Sequence, residues 1–174
     1  MTPPRAARAA RTSWAALGLA LLLAGCALFA EPSRIAPGTP AAELLQTLGR
    51  PSAHYPPSAG AGERLQYSYQ PAGQRVFNID LDAQGRVARV EQVLSEALFG
   101  QRIQPHVWTR ADVLREYGPP ARVMGVHNFD GDVWVWRYTD GPTWRLLFID
   151  IDRAGVVRGW SNGDEDLPDL PEPR

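Results

Sequence analysis

The feature that most constrains this chain is a spacing used twice. Leu44, Leu45, Leu48, Gly49 and Pro51 are followed 69 positions later by Val113, Leu114, Tyr117, Gly118 and Pro120. Leu65, Tyr67 and Tyr69 are followed at the same offset by Trp134, Trp136 and Tyr138. Beyond that point the offset becomes 70. Phe77, Ile79 and Leu81 match Leu147, Ile149 and Ile151, and Asp82 and Gly85 match Asp152 and Gly155. One residue inserted in a hairpin loop accounts for the step. A register held across so many landmarks indicates an internal duplication.

Each half predicts the same short elements. Thr39 is a suitable N-cap and Pro40 suits the first helical position, where a missing N–H costs nothing. A short helix then runs over 41–48 with Leu44, Leu45 and Leu48 on one face. Gly49 predicts a left-handed cap, and Pro51 forbids resumption. A loop rich in Pro, Gly and Ala follows over 52–62. Leu65, Tyr67 and Tyr69 alternate with polar residues, as do Phe77, Ile79 and Leu81, which predicts two strands. Asp82-Ala83-Gln84-Gly85 turns tightly into a returning strand. In the second half Thr109-Arg110-Ala111-Asp112 is a capping box with Asp in place of Glu. The fold expected is α+β: two tandem repeats, over 35–95 and 96–161, each a short helical segment packed on a small antiparallel β-sheet. Sixteen Pro and sixteen Gly argue against a long helical bundle.

The first 25 residues read as a segment to be removed. Arg5, Arg8 and Arg11 precede an uncharged run from Trp14 to Ala24, too short to span a bilayer. Small residues lead into Cys26, the single cysteine, which argues against a disulfide framework. Leu22-Leu23-Ala24-Gly25-Cys26 resembles the lipobox of bacterial lipoproteins. That resemblance implies cleavage before Cys26 and lipidation of its thiol, with several acyl chains giving stable anchoring. Residues 26–34 then form a lipidated N-terminus and tether. Ala27 stands where an Asp would retain such a protein in the inner membrane, so the expected location is the outer membrane, facing the periplasm. Removing the three signal arginines takes the formal charge from −1 to about −4. No basic run suggests nucleic acid. The acidic, Pro-rich segment 162–174 is expected to be a disordered tail.

The repeat unit resembles the domain of small outer-membrane lipoproteins of the BamE (SmpA/OmlA) group. Gly38, Thr39, Leu48, Gly49, Pro51, Tyr67, Tyr69, Asp82 and Gly85 carry the likeness, and Thr109, Tyr117, Gly118, Pro120, Trp136, Tyr138, Asp152 and Gly155 carry it again. Two such units in tandem also look like the architecture of β-lactamase inhibitory proteins. The resemblance implies helices on one face of an antiparallel sheet, no cofactor, and a role beside the barrel-assembly machinery. Those lipoproteins carry one unit, and here Val107-Trp108 replaces the Gly before the second Thr.

No catalytic residue is assigned. Gly159-Trp160-Ser161-Asn162-Gly163 has the spacing of a nucleophile elbow, but that motif needs a strand, a turn and a following helix. In the pairs Asp80/Asp82 and Asp150/Asp152 the second Asp is read as capping a turn, and neither pair supplies enough ligands for a metal site. His54, His106 and His127 lack ligand spacing, so no metal site is expected. The anomaly is apolar. With Leu147, Ile149 and Ile151 facing the core, Trp144, Leu146 and Phe148 fall on the other face, joined by Val133 and Val135, where the first half has polar Asn78 and Asp80. A half-covered sheet should be polar outside. This face either packs between the copies, which is favoured because intrachain packing is always available, or receives a partner. Trp144, Leu146 and Phe148 are therefore the candidate protein-binding residues. The expected function is a non-catalytic protein–protein binding module in outer-membrane protein assembly or envelope maintenance. The alternative is an inhibitor of a periplasmic enzyme, with a loop such as 56–62 in the enzyme's cleft.

Overall fold

The computed structural model describes residues 30–57 and 62–166. Cys26, the signal segment, the centre of the loop 56–62 and the end of the acidic tail lie outside the described residues. Two antiparallel sheets of four strands each form with three helices, an α+β fold. Helix α1 (Ala41–Leu48) precedes strands β1 (Ala53–Tyr55), β2 (Arg64–Ser68), β3 (Val76–Leu81) and β4 (Val87–Gln92). Helices α2 (Glu96–Arg102) and α3 (Arg110–Tyr117) precede β5 (Arg122–Met124), β6 (Gly131–Asp140), β7 (Thr143–Asp152) and β8 (Val157–Asp164). Each sheet is a simple meander, β1-β2-β3-β4 and β5-β6-β7-β8.

The layers run helix, sheet, helices, sheet. Leu44 of α1 is fully buried against Leu65, Tyr67, Phe77, Ile79 and Leu81 on the inner face of the first sheet. A second, larger core joins Phe99 of α2, Val113 and Tyr117 of α3, and Trp136, Tyr138, Leu147 and Ile149 of the second sheet. Val76 and Val93 enter this second core from the far side of the first sheet. The polar pattern of Asn78 and Asp80 predicts a solvated outer face there, and the structure overturns it. Gln66 and Asn78 are buried. They lie beneath the last turn of α3, where Leu114 O takes the Gly118 N–H at 2.9 Å and the carbonyls after it need donors from outside the helix. Asn78 Nδ2 donates to Glu116 O at 2.8 Å, Arg64 Nη1 to Arg115 O at 3.2 Å and Tyr55 OH to Leu114 O at 2.7 Å. Gln66 Nε2 is shared among the same carbonyls at 3.3–3.5 Å. A polar sheet face is thus the cap of a helix end.

Charge completes this junction. Arg64 holds Asp80 with two nitrogens, at 2.6 and 3.1 Å, and reaches Glu116 at 2.9 Å. Arg102 of α2 bridges Glu116 and Glu91. The hydrogen bonds it donates to Glu91 and Glu116 outweigh burial and hold its guanidinium above the ordinary arginine range.

Local chemistry explains both helix starts, in different ways. Thr109 caps α3: its N–H donates to the Asp112 carboxylate at 2.7 Å, with the hydroxyl on the same oxygen. At α1 the expected cap moves by one residue. Pro40, not Thr39, is the N-cap, and it offers no side-chain bond. Thr39 is held in a ladder, its carbonyl accepting from Val87 N at 2.9 Å, and the helix's first N–H, at Ala41, goes to Gly85 O at 3.0 Å. The hairpin does the capping, so the side chain is not needed. Asp112→Ala is expected to cost about 1 kcal/mol, as cap losses do, read as a lower urea midpoint with an unchanged slope.

Three further expectations are corrected. Gly49 and Gly118 have positive φ, 74° and 70°, but ψ of −159° and −170° places them in extended glycine geometry rather than the left-handed helical region. Ala53–Tyr55, inside the expected loop, is a strand paired to β2. The segment expected to be a free tail from 162 is strand at its start, where Asn162, Gly163 and Asp164 pair with Leu147, Leu146 and Arg145. The described chain is also tied down at its start. Pro32 is buried in a 3₁₀ turn, Pro32–Arg34, and Glu31 pairs with Arg75.

Candidate functional site

A difference in length between two hairpins shapes the candidate surface. The first hairpin stops pairing at Ser68–Val76 and closes through Tyr69 N to Arg75 O. The second continues three pairs further, through Tyr138–Arg145 and Thr139–Trp144 to Asp140–Thr143, and turns on Gly141 and Pro142. Trp144 stands on this projecting part. It is 39% exposed, with the Arg137 guanidinium 5.4 Å from its ring centroid. A cation over an indole face is attracted by the ring quadrupole.

The three predicted residues share one face and differ in exposure. Leu146 is only 7% exposed and joins Val133 and Val135 in a small apolar cluster. Phe148 is half-buried against that cluster, with Met124 and Phe129 at its other margins. Pro71, from the first hairpin loop, lines a pocket of about 130 Å³ over Val135 and Leu146. The face is therefore largely closed from within the chain, and Trp144 is its open part. Arg137 is the hub that closes it. Its nitrogens donate to Pro71 O and Ala72 O, both at 3.1 Å, and to Glu165 Oε1 at 2.6 Å. Gln70 takes the place of a neighbouring strand beyond the end of β5: Nε2 donates to Arg137 O at 2.7 Å, and Arg137 N donates to Oε1 at 3.3 Å. Neither Gln70 nor Arg137 was legible as functional. Their roles depend on contacts across more than sixty positions, and no local pattern encodes them.

The remaining motifs are ordinary structure. Gly159–Gly163 lies inside β8, with Ser161 opposite Phe148, and no turn follows Ser161 within the strand. Asp82 Oδ1 accepts from Gln84 N and Arg86 N, both at 2.9 Å, and Asp152 Oδ1 accepts from Val156 N at 2.9 Å. The Val156 amide, with Arg158 beside it, holds the Asp152 carboxyl below the usual range. His54 pairs with Glu63 at 2.8 Å, and His106 Nδ1 lies 3.1 Å from Arg158. His106 has a φ of 66° and donates its N–H to Val157 O, just as Gly38, at φ 88°, donates to Val87 O. Among the described residues no three His, Cys, Asp or Glu side chains converge on a metal position. None of their helices is long and apolar enough to cross a membrane.

A groove of about 740 Å³ opens between α1 and β1, with Ala41 and Leu45 on the helix side, Ala53, Glu63 and Leu65 on the sheet side, and Arg50 and His54 also lining it. Leu45 is 40% exposed there.

No family model matches the chain, and no curated protein matches it. Among solved structures, the crystal structure of a DUF4309 family protein (YjgB) from Bacillus subtilis aligns at 16% identity with a TM-score of 0.28, covering 71% of this chain and 77% of that one. A likeness at that level carries no argument about fold or function.

Proposed function

We propose that this chain is a lipoprotein of the bacterial outer membrane, anchored through Cys26 and facing the periplasm. It works as a non-catalytic protein-binding module in outer-membrane protein assembly or envelope maintenance. On this reading its two sheets, each with its preceding helix, are tandem copies of one BamE-like unit. The paired register supports the duplication. Both β3–β4 and β7–β8 shift register at the same step, between Asp80 and Leu81 and between Asp150 and Ile151. Pro40 bridges Arg86 as Thr109 bridges Val156.

The observation that carries the binding role is Trp144, an exposed indole on a hairpin extension that only the second half possesses. Tryptophan at the centre of a rigid patch is a frequent anchor of protein interfaces. The test places a photoreactive residue at Trp144, rather than at half-buried Phe148, in the full-length lipidatable chain. An adduct with a barrel-assembly component is the expected result. An adduct with a soluble periplasmic enzyme would favour the inhibitor reading. The absence of any adduct from folded, anchored protein would remove Trp144 from the binding surface. Cys26→Ser is expected to abolish incorporation of radiolabelled palmitate and to release the protein from membranes. Unchanged labelling would end the lipoprotein assignment.

A further inference from the structure

We infer, resting on the lipidation of Cys26 proposed above, that the protein stands with the turn between β2 and β3 facing the bilayer. Tyr69 and Arg75 are the side chains that meet the lipid headgroups. The orientation follows from where the anchored end joins the body. Glu31 pairs with Arg75, and Pro32 is buried in a 3₁₀ turn that lies against β4. Ala27 to Ala30 are all that separate Cys26 from Glu31, a reach of at most about 18 Å. The lipid is therefore held near Arg75, at the end of the first sheet where Phe77 pairs with Gln92. From there the chain runs away along β4. Gly38 N donates to Val87 O at 2.7 Å, and Ala41 N donates to Gly85 O at 3.0 Å. The turn Asp82–Gly85 thus marks the opposite end. β3 has six residues, so the two ends of the sheet stand about 16–20 Å apart.

The second sheet is aligned with the first. Arg137 donates to the carbonyls of Pro71 and Ala72, and Arg145 reaches Glu96, at the start of α2, at 3.5 Å. Both contacts set the β6–β7 hairpin beside the β2–β3 turn, which leaves the turn Asp152–Gly155 at the far end of β7. Chemistry also separates the two ends. Residues 69–74, Tyr-Gln-Pro-Ala-Gly-Gln, hold no charge. Tyr69 is 41% exposed, with the Arg75 guanidinium 5.5 Å from its ring centroid. Arg75 stays about half-exposed beside Glu31. An aromatic ring with a polar tip suits the headgroup level, and a guanidinium suits the lipid phosphates. The far turns instead carry Asp82 and Arg86, and Asp152 and Arg153. The β6–β7 hairpin is not the lipid contact. Asp140, Asp164 and Asp166 are exposed around it, and carboxylates are repelled by a phosphate-bearing surface. Trp144 is left free for a protein, which it meets on the membrane side of the molecule.

Lipidation consumes the single natural thiol, so an added cysteine can carry a fluorophore alone. Ala72→Cys, Gln84→Cys and Ala154→Cys place it on exposed turns at the two ends. The full lipidated chain is incorporated into vesicles of phosphatidylethanolamine and phosphatidylglycerol, with nitroxide on a fraction of the headgroups. The label at 72 is expected to be quenched several-fold more strongly than the label at 84 or 154. A photoreactive residue at Tyr69 is expected to form an adduct with lipid. Equal or reversed quenching in protein that floats with the vesicles would overturn the orientation. So would a Tyr69 residue that captures only protein, or nothing. Protein that neither floats nor takes up palmitate would remove the anchor, and the lipoprotein reading would fall with the orientation built on it.

Discussion

Gly118→Ala is expected to destabilise the protein by about 3 kcal/mol or more, and Gly49→Ala by about half of that. Both glycines end an eight-residue helix with φ near 70° and extended ψ, a region that costs any other residue about 1–3 kcal/mol. The shared backbone cost cancels between them, so the difference isolates what surrounds each. A Cβ on Gly49 meets nothing within 4 Å. A Cβ on Gly118 would lie 2.7 Å from Gln66 Oε1. Gln66 is fully buried with its amide nitrogen on the α3 carbonyls, so it can retreat only by giving up those bonds. A buried polar group left unpaired costs a further 1–3 kcal/mol or so. Equal denaturation midpoints for the two variants would show that Gln66 moves freely, and the account of the polar junction would fail.

Phe99→Ala is expected to cost about 3–5 kcal/mol, the range for deleting a buried aromatic side chain. Phe99 is fully buried, and its ring meets Tyr117, Tyr138 and Trp160 edge-on with centroids 5.9, 5.2 and 6.0 Å away. Edge-to-face pairs add to area burial. The position also tests how the halves unfold. Val76 and Val93 of the first sheet lie in the same core as Phe99, so the two sheets share packing through α2. Thermal unfolding of the unaltered protein should be a single transition, and Phe99→Ala should lower it without splitting it. Two resolved transitions would mean that the junction contributes little and that each sheet stands on its own helix.

Some of this was legible in the residues. Leu44, Leu45 and Leu48 mark a helix, and of them only Leu44 is fully buried. The capping box at Thr109 and the Asp-x-x-Gly turns are local chemistry, and they stand where their spacing puts them. Helix α2 was not legible. Its seven residues bury Phe99 alone, and one apolar residue has no periodicity. β1 hid between prolines, three residues long. The polar outer face of the first sheet misled for a deeper reason. Alternation shows which residues share a face, but hydropathy assigns a polar face to water. Gln66, Asn78 and Arg64 are polar because a helix terminus offers them carbonyls, and a buried acceptor selects the same residue types as solvent does. On the apolar face of the second sheet Trp144, Leu146 and Phe148 look alike in sequence, and the hairpin extension is what separates the open indole from the closed leucine.

The docking of Glu31 and Pro32 on the body sets a working height. If Cys26 carries the lipid proposed above, only Ala27 to Ala30 lie between the anchor and the first fixed residue. Fully extended, that stretch spans about 15–18 Å from Cys26 to Glu31. The folded part then rides close above the headgroups, as a low buoy on a short mooring rather than a probe on a long line. A partner must come to the membrane surface to be met, or already be embedded in it. Lengthening the mooring with a flexible insert after Ala30 would leave every contact described here intact and change only which layer of the periplasm the protein can patrol.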